Sequence, residues 1–175
     1  MIPPDTRWFV PETSQNRQVV TTPGVRRLER RTVDRRRTVT VSERAHELAM
    51  AAAQAAADKK AQDIVIIDVG EQLAITDAFL LAAAPNERQV LAIVDAIEER
   101  LLELPEKAKP IRREGERGGR WVLLDYVDMV VHVQHTEERE FYALDRLWKD
   151  CPQIPFVDRD LVEADASAAG TAPAE

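Results

Sequence analysis

The sequence predicts an α+β domain in which a mixed sheet of about five strands is flanked by helices. Two observations lead to this prediction. Apolar residues recur at helical spacing in three segments, and continuous apolar runs of four or five residues lie between these segments. The predicted order is α-β-β-α-β-β-β-α, and a sheet with this mixture of elements buries its faces against helices.

The first helix is predicted to run from Thr40 to about Lys60. Thr40 and Glu43 have the spacing of a capping box, in which the hydroxyl and the carboxylate satisfy backbone N–H groups at the helix start. Small and apolar residues then recur every three or four positions and form one buried face: Val41, Ala45, Leu48, Ala52 and Ala55.

Apolar runs at residues 64–67 and 78–82 predict two buried strands. Residues 110–113 predict a short edge strand, since a proline is tolerated where an edge strand begins. Residues 121–124 and 129–133 predict an antiparallel pair, because only a short turn connects them.

Two further helices are indicated by capping residues followed by helical periodicity. Asn86 and Gln89 have capping spacing at the start of the second helix, and Pro105 ends it. Thr136 is predicted to begin the third helix. Three of its residues are predicted to face inward: Phe141, Leu144 and Trp148.

Charge divides the chain into an Arg-rich leader (1–38), a domain (39–156) and an acidic, Ala-rich tail (157–175) that is expected to be disordered. The leader holds nine arginines and four acids, a net charge of +5, and the remainder holds 15 bases and 27 acids, a net charge of −12. We expect the leader to be disordered. It could be an arm for nucleic acid, a solvated tail or sequence upstream of the true start. An acidic body makes few phosphate contacts, so little direct RNA contact and a basic protein partner are expected.

Other features of the composition indicate a cytoplasmic protein. The single cysteine, Cys151, excludes an intrachain disulfide and fits a reducing compartment. No apolar run has the length of a membrane span, and the N-terminus lacks the apolar region of a secretory signal.

Candidate catalytic and metal-binding residues are few. His132 and His135 lie three apart in a predicted strand, so their side chains point to opposite faces and cannot share a metal. Asp68 and Asp77 lie at strand ends, where paired carboxylates can hold Mg²⁺ for nucleotidyl transfer. The chain has no Gly-rich phosphate loop, so we favour a turn role for these aspartates and expect no cofactor, no metal and no enzymatic activity.

A sharper candidate is the cluster of Trp121, Asp125 and Asp128 around the predicted hairpin. An exposed tryptophan supplies apolar contact area, and carboxylates nearby pair with Lys or Arg of a partner. A core tryptophan with two turn aspartates is the structural alternative, and periodicity alone leaves both open.

The order of these short motifs resembles the ribosomal silencing factor family, also called RsfS or Iojap-like. The resemblance covers about residues 42–151 and rests on the following pieces, in order: Lys60 with 63–64, 68–69, 75–77 with Phe79, Arg88 with Val90, 114–115, 121–125, Asp128 with 130–133, and Arg139 with 141–142 and 147–148. Residues 83–86 and Gln89 depart from the family pattern and leave the role of that loop open.

The resemblance implies a translational repressor that binds a protein of the large ribosomal subunit on its intersubunit face and blocks joining of the small subunit. It also implies a nucleotidyltransferase-like fold without the catalytic residues, and a homodimer as an open alternative. The predicted partner-binding residues are Trp121 as the apolar anchor, Asp125, Asp128 and Glu114 as pairing groups, and Arg88 and Tyr126. A nucleotidyltransferase-like enzyme using Asp68 and Asp77 with Mg²⁺, and an RNA-binding module using the leader, are the alternatives.

Overall fold

The computed structural model describes residues 41–161. The leader (1–38), the predicted capping residue Thr40 and the tail from residue 162 onward lie outside the described residues. The helices are α1 Glu43–Asp58, α2 Glu87–Glu103, α3 Thr136–Tyr142 and α4 Leu144–Leu147. The strands are β1 Gln62–Asp68, β2 Ala78–Ala84, β3 Arg112–Glu114, β4 Trp121–Asp125, β5 Met129–His135 and β6 Gln153–Ile154.

The described strands form one mixed sheet in the order β3-β4-β5-β2-β1-β6. The central pair, β2 and β5, is parallel, and every other neighbouring pair is antiparallel. The prediction of a mixed sheet flanked by helices is confirmed. The sixth strand, β6, was not predicted, since it is only two residues long and lies between Pro152 and Pro155.

One face of the sheet, here called the inner face, is covered by α1 and α2 and forms the larger core. The inner-face residues of the strands alternate with residues that point the other way, as pleating requires. Fully buried aliphatic residues of α2 pack onto them, and each stabilises the fold by about 1.5–3 kcal/mol. These residues include Ile93, Ile97 and Leu101 of α2 with Leu80, Leu124 and Val131 of the strands.

The opposite face, here called the outer face, carries a smaller core under α3 and α4. Its buried members are Ile67, Val69, Phe79, Leu81, Leu144 and Cys151, with Trp121, Val130 and Trp148 partly buried against them. Because α3 and α4 are short, the outer face of β3 and β4 stays partly open to solvent. Leu123 and Asp125 of β4 are half-buried there, and Arg112 and Glu114 of β3 are exposed.

The capping residue of α1 lies two residues later than predicted. Ser42 is the capping residue, and its Oγ accepts the backbone N–H of Ala45 at 3.2 Å. The backbone N–H groups of Val41 and Ser42 donate to carboxylates at the ends of β1 and β2. These two hydrogen bonds fix where the helix starts. Because their acceptors are distant in sequence, no local sequence pattern predicts this start.

The predicted third helix is two helices. Ala143 interrupts it with φ of 43° and ψ of 54°, a left-handed conformation that ends α3 and redirects the chain into α4. Leu144 is buried and Trp148 is half-buried, as predicted. The inward orientation predicted for Phe141 is wrong, because its side chain is 81% exposed.

The segment after β6 packs against α1. Gln54, a buried residue of α1, donates through Nε2 to Oδ1 of Asp158 at 2.9 Å and accepts through Oε1 the backbone N–H of Arg159 at 3.2 Å. Residues 157–161 thus contact the domain and include a helical turn. Between residues 41 and 161, none of the helices is long and apolar enough to cross a membrane.

Candidate functional site

Trp121 lies at the start of β4 with its indole on the outer face. Its side chain is half-buried. The indole Nε1–H donates to Nδ1 of His132 at 3.2 Å, and the ring centroid lies 4.9 Å from that of Tyr142. Trp121 is therefore neither a fully buried core residue nor a freely moving surface residue.

The aromatic contact extends from the sheet onto α3. The rings of Tyr142 and Phe141 lie edge to face with centroids 5.0 Å apart, so Trp121, Tyr142 and Phe141 form a continuous aromatic row. Leu123 extends this apolar area along β4 and belongs to neither core. We call the set Glu114, Trp121, Leu123, Phe141 and Tyr142 the outer-face patch.

The three predicted pairing acids differ in what they contact. Asp125 accepts the backbone N–H of Val127 through Oδ1 at 2.8 Å, which is a turn role. Asp128 forms an ion pair with Arg44 of α1, with Oδ2 and Nε 2.9 Å apart. Glu114 is exposed, and its contact with the exposed Arg112 is 3.4 Å long. Of the three carboxylates, Glu114 is the one that a partner can reach at least cost.

The last two predicted partner-binding residues, Tyr126 and Arg88, do not belong to the outer-face patch. Tyr126 is buried, and burial raises the pKa of its hydroxyl, so the side chain is not available to a partner in this conformation. Arg88 is exposed in the first turn of α2. The neighbouring Glu87 forms an ion pair with Arg120, so Arg88 lies near the Trp121 end of β4. Asp125 lies at the other end of β4, four residues and roughly 14 Å along the strand from Trp121.

A second set of exposed apolar residues lies at the hairpin end of the sheet, where β4 ends and β5 begins. Ile75, Ile111 and Val127 are 69%, 70% and 50% exposed. Val127 has φ of 72°, a left-handed conformation that is strained for a β-branched residue. The predictions from the sequence missed these three residues and Phe141, and a valine in a short turn was the one available signal.

The strand-end aspartates proposed for the enzyme alternative bind backbone amides. Asp68 accepts the N–H groups of Val41 and Gly70, each at 3.2 Å, and Asp77 accepts the N–H of Ser42 at 3.3 Å. Carboxylates at a helix N-terminus are also favoured by the helix dipole. Over residues 41–161, no group of three or more His, Cys, Asp or Glu side chains is arranged to hold a metal ion.

The two predicted strand histidines point to opposite faces. His132 lies buried on the outer face, and burial together with the positive charge of Arg139 lowers its pKa from 6.5 to about 4. His135 is half-buried at the end of β5, where its Nδ1 accepts the N–H of Glu137 and caps α3. His132 and His135 therefore have separate structural contacts.

Fold and site together define a small α+β domain that leaves one sheet face partly open, with aromatic side chains on it. Comparison with known proteins then gives the family. The chain belongs to the family described as "Ribosomal silencing factor during starvation", whose model matches residues 42–175. The resemblance found from the sequence is confirmed.

Individual relatives agree with this assignment. Ribosomal silencing factor RsfS of Halalkalibacterium halodurans is 39% identical over 108 residues, which cover 62% of this chain and 91% of the relative. Ribosomal silencing factor RsfS of Bacillus subtilis is 40% identical over 101 residues, covering 58% and 84%. A crystal structure of a protein from Chromobacterium violaceum has a TM-score of 0.57 and 30% identity, covering 60% of this chain and 86% of that one.

Proposed function

We propose that this protein is a translational repressor that acts on the ribosome, as the names of its relatives indicate. In this proposal it binds a protein of the large subunit on the intersubunit face and blocks joining of the small subunit by its bulk. Such a repressor works in the cytoplasm and needs no catalytic residues, cofactor or metal.

The outer-face patch is the observation that carries the proposal. An aromatic row beside an aliphatic residue, open to solvent, has the composition of the centre of a protein interface. Phe141 makes this argument strongest, because an aromatic side chain that is 81% exposed contributes little to the fold that carries it.

Charge fits a basic ribosomal protein as the partner. Residues 41–161 carry 24 acidic and 15 basic side chains, a net charge of −9. Glu114 lies at the edge of the patch, where a carboxylate is exposed and pairs only weakly within the chain. Charge of this kind accelerates the encounter, and the apolar centre holds the complex. An interface of about 800 Å² on this domain is enough for specific binding.

The test is co-sedimentation with isolated large subunits, followed by subunit joining measured by light scattering. Trp121→Ala and Phe141→Glu are expected to lose binding and to restore joining. Leu102→Glu, at an exposed apolar residue of α2, is the control for a new charge on the surface. Normal binding by folded Trp121→Ala and Phe141→Glu proteins would remove the patch from the interface.

The charge contribution is tested separately. Glu114→Lys is expected to slow association and to weaken binding, whereas Glu99→Lys on α2 leaves both unchanged, because Glu99 is exposed on a different part of the domain. Charge reversal at Asp125 or Asp128 is a poorer test, since both also hold the local structure.

Each alternative has a test of its own. RNA binding by the leader predicts a steep salt dependence that disappears when residues 1–38 are deleted. A nucleotidyltransferase would bind nucleotide with Mg²⁺, and the amide contacts of Asp68 and Asp77 give that alternative no support. A homodimer stays a prediction, to be measured by analytical ultracentrifugation.

A further inference from the structure

His132 and Trp121 form a pair across two neighbouring strands of the outer face. Leu123 lies directly opposite His132, so Trp121 is its diagonal neighbour, within reach of a long side chain. Nε1–H of Trp121 donates to Nδ1 of His132 at 3.2 Å. The imidazole is 4% exposed, and the edge of Phe79 packs against it with ring centroids 5.4 Å apart and planes at 88°.

The hydrogen bond turns the polar edge of the indole into the protein. The indole nitrogen is a donor only, and a half-buried tryptophan without an internal acceptor would direct this donor to water. Here His132 accepts the hydrogen bond from the indole N–H, and the part of the indole that stays exposed to solvent is apolar. A partner that covers Trp121 therefore does not have to replace a lost hydrogen bond at this nitrogen.

The same contacts hold the ring in one orientation. The indole is held by the hydrogen bond to His132 and by contact with the ring of Tyr142, at 4.9 Å between ring centroids. An anchor that is already ordered before binding loses less conformational freedom in the complex.

His132 can accept only while Nδ1 carries no proton. Burial and the nearby positive charge of Arg139 lower the pKa of His132 to about 4, so the imidazole is neutral at pH 7. The hydrogen bond from Trp121 then fixes the tautomer, with the remaining proton on Nε2.

We propose that His132 is a positioning residue that orders the indole of Trp121 for docking and makes its exposed surface apolar. This inference rests on the proposed function, in which Trp121 lies in the docking surface. His132 itself is buried and does not touch the partner.

The experiment compares three variants in binding to isolated large ribosomal subunits. His132→Leu removes the acceptor, His132→Asn retains an acceptor oxygen close to the place of Nδ1, and Trp121→Phe removes the donor. We expect His132→Leu to weaken binding about tenfold, the size of one hydrogen bond, and His132→Asn to recover most of the affinity. In the Trp121→Phe background, His132→Leu is expected to weaken binding no further.

Two other measurements separate positioning from a loss of stability. Thermal denaturation gives the stability of each variant. If His132 only stabilised the fold, His132→Asn would not be expected to recover binding. NMR of the indole N–H in the full-length protein reports the hydrogen bond without any substitution. We expect it to exchange slowly with water in the wild type. Exchange as fast as in free tryptophan would overturn the inference even if His132→Leu does not fold.

The two proposals fail in different ways. If Trp121→Ala abolishes binding but His132→Leu binds like the wild type, the positioning role is wrong and the docking surface stands. If Trp121→Ala binds normally, the docking surface itself is wrong.

Discussion

The buried imidazole of His132 makes the stability of this domain depend on pH in a predictable way. Above pH 6.5 the histidine is neutral in both the folded and the unfolded chain, so its protonation does not lower the free energy of unfolding. As the pH falls below 6.5, the unfolded chain binds a proton that the folded domain accepts only near pH 4. Acidification therefore favours unfolding across this window.

The magnitude follows from the two pKa values. Each pH unit between them costs about 1.36 kcal/mol, so lowering the pKa from 6.5 to about 4 costs about 3 kcal/mol in total at pH 4. This is a large part of the 5–15 kcal/mol that typically stabilises a domain. Glu98 acts in the opposite direction, because burial raises the pKa of its carboxyl and the folded state takes up a proton more readily there.

The assay is urea denaturation at intervals between pH 7 and pH 4, on the wild type and on His132→Asn. Subtracting the two curves removes the contributions of Glu98 and the other titrating groups. The free energy of unfolding is expected to fall by about 3 kcal/mol more in the wild type than in the variant. Parallel curves for the two proteins would refute the reasoning.

Three further predictions concern stability. Gly115→Ala is expected to cost about 3 kcal/mol or more in denaturant unfolding, because φ is +88° and a Cβ would lie 1.8 Å from a backbone oxygen of β4. Gly118→Ala, with nothing within 4 Å, should change little. Val127→Gly is expected to be about 1 kcal/mol more stable than Val127→Ala, because φ is 72°. An equal Tm would contradict this. Gln54→Ala should cost about 2 kcal/mol and accelerate hydrogen exchange in residues 157–161, with unchanged exchange there as the contrary result.

The regular elements of this fold could be predicted because each helix has its own apolar periodicity and most strands are continuous apolar runs. Helical periodicity after the capping residue Asn86 predicted α2, and the structure buries Val90, Ile97 and Leu101 on one side of this helix. The apolar runs predicted β1, β2, β4 and β5. In these segments local preference and tertiary packing agree, so the pattern in the sequence is sufficient.

The elements that were missed depend on contacts distant in sequence. β6 forms only because β1 offers it an edge, and its two residues have no periodicity of their own. The start of α1 is fixed by Asp68 and Asp77, which lie 27 residues after Val41 and 35 residues after Ser42, the residues whose N–H groups they accept. Alanine does not favour a positive φ, so the local sequence did not predict the break between α3 and α4 at Ala143.

The candidate site could be predicted only in part. Side chains alternate along a strand, so the predicted strand implies that Trp121, Leu123 and Asp125 share one face, and the structure has all three half-buried on the outer face of β4. It did not show that Asp125 is engaged in its own turn, although an aspartate two residues before a turn amide is a known signal. The exposure of Phe141 depends on where the helix breaks, which the sequence did not indicate.

The short strand β6 also covers part of an edge of β1 that would otherwise be open to pairing with another chain. β1 contains four aliphatic residues in succession, 64–67, and β6 pairs with the last two of them. A chain cleaved just before Pro152 would expose these backbone N–H and C=O groups at the border of the sheet, beside side chains with a strong preference for strands. Shortened versions that end there should precipitate through intermolecular sheet growth even where the rest of the domain is folded.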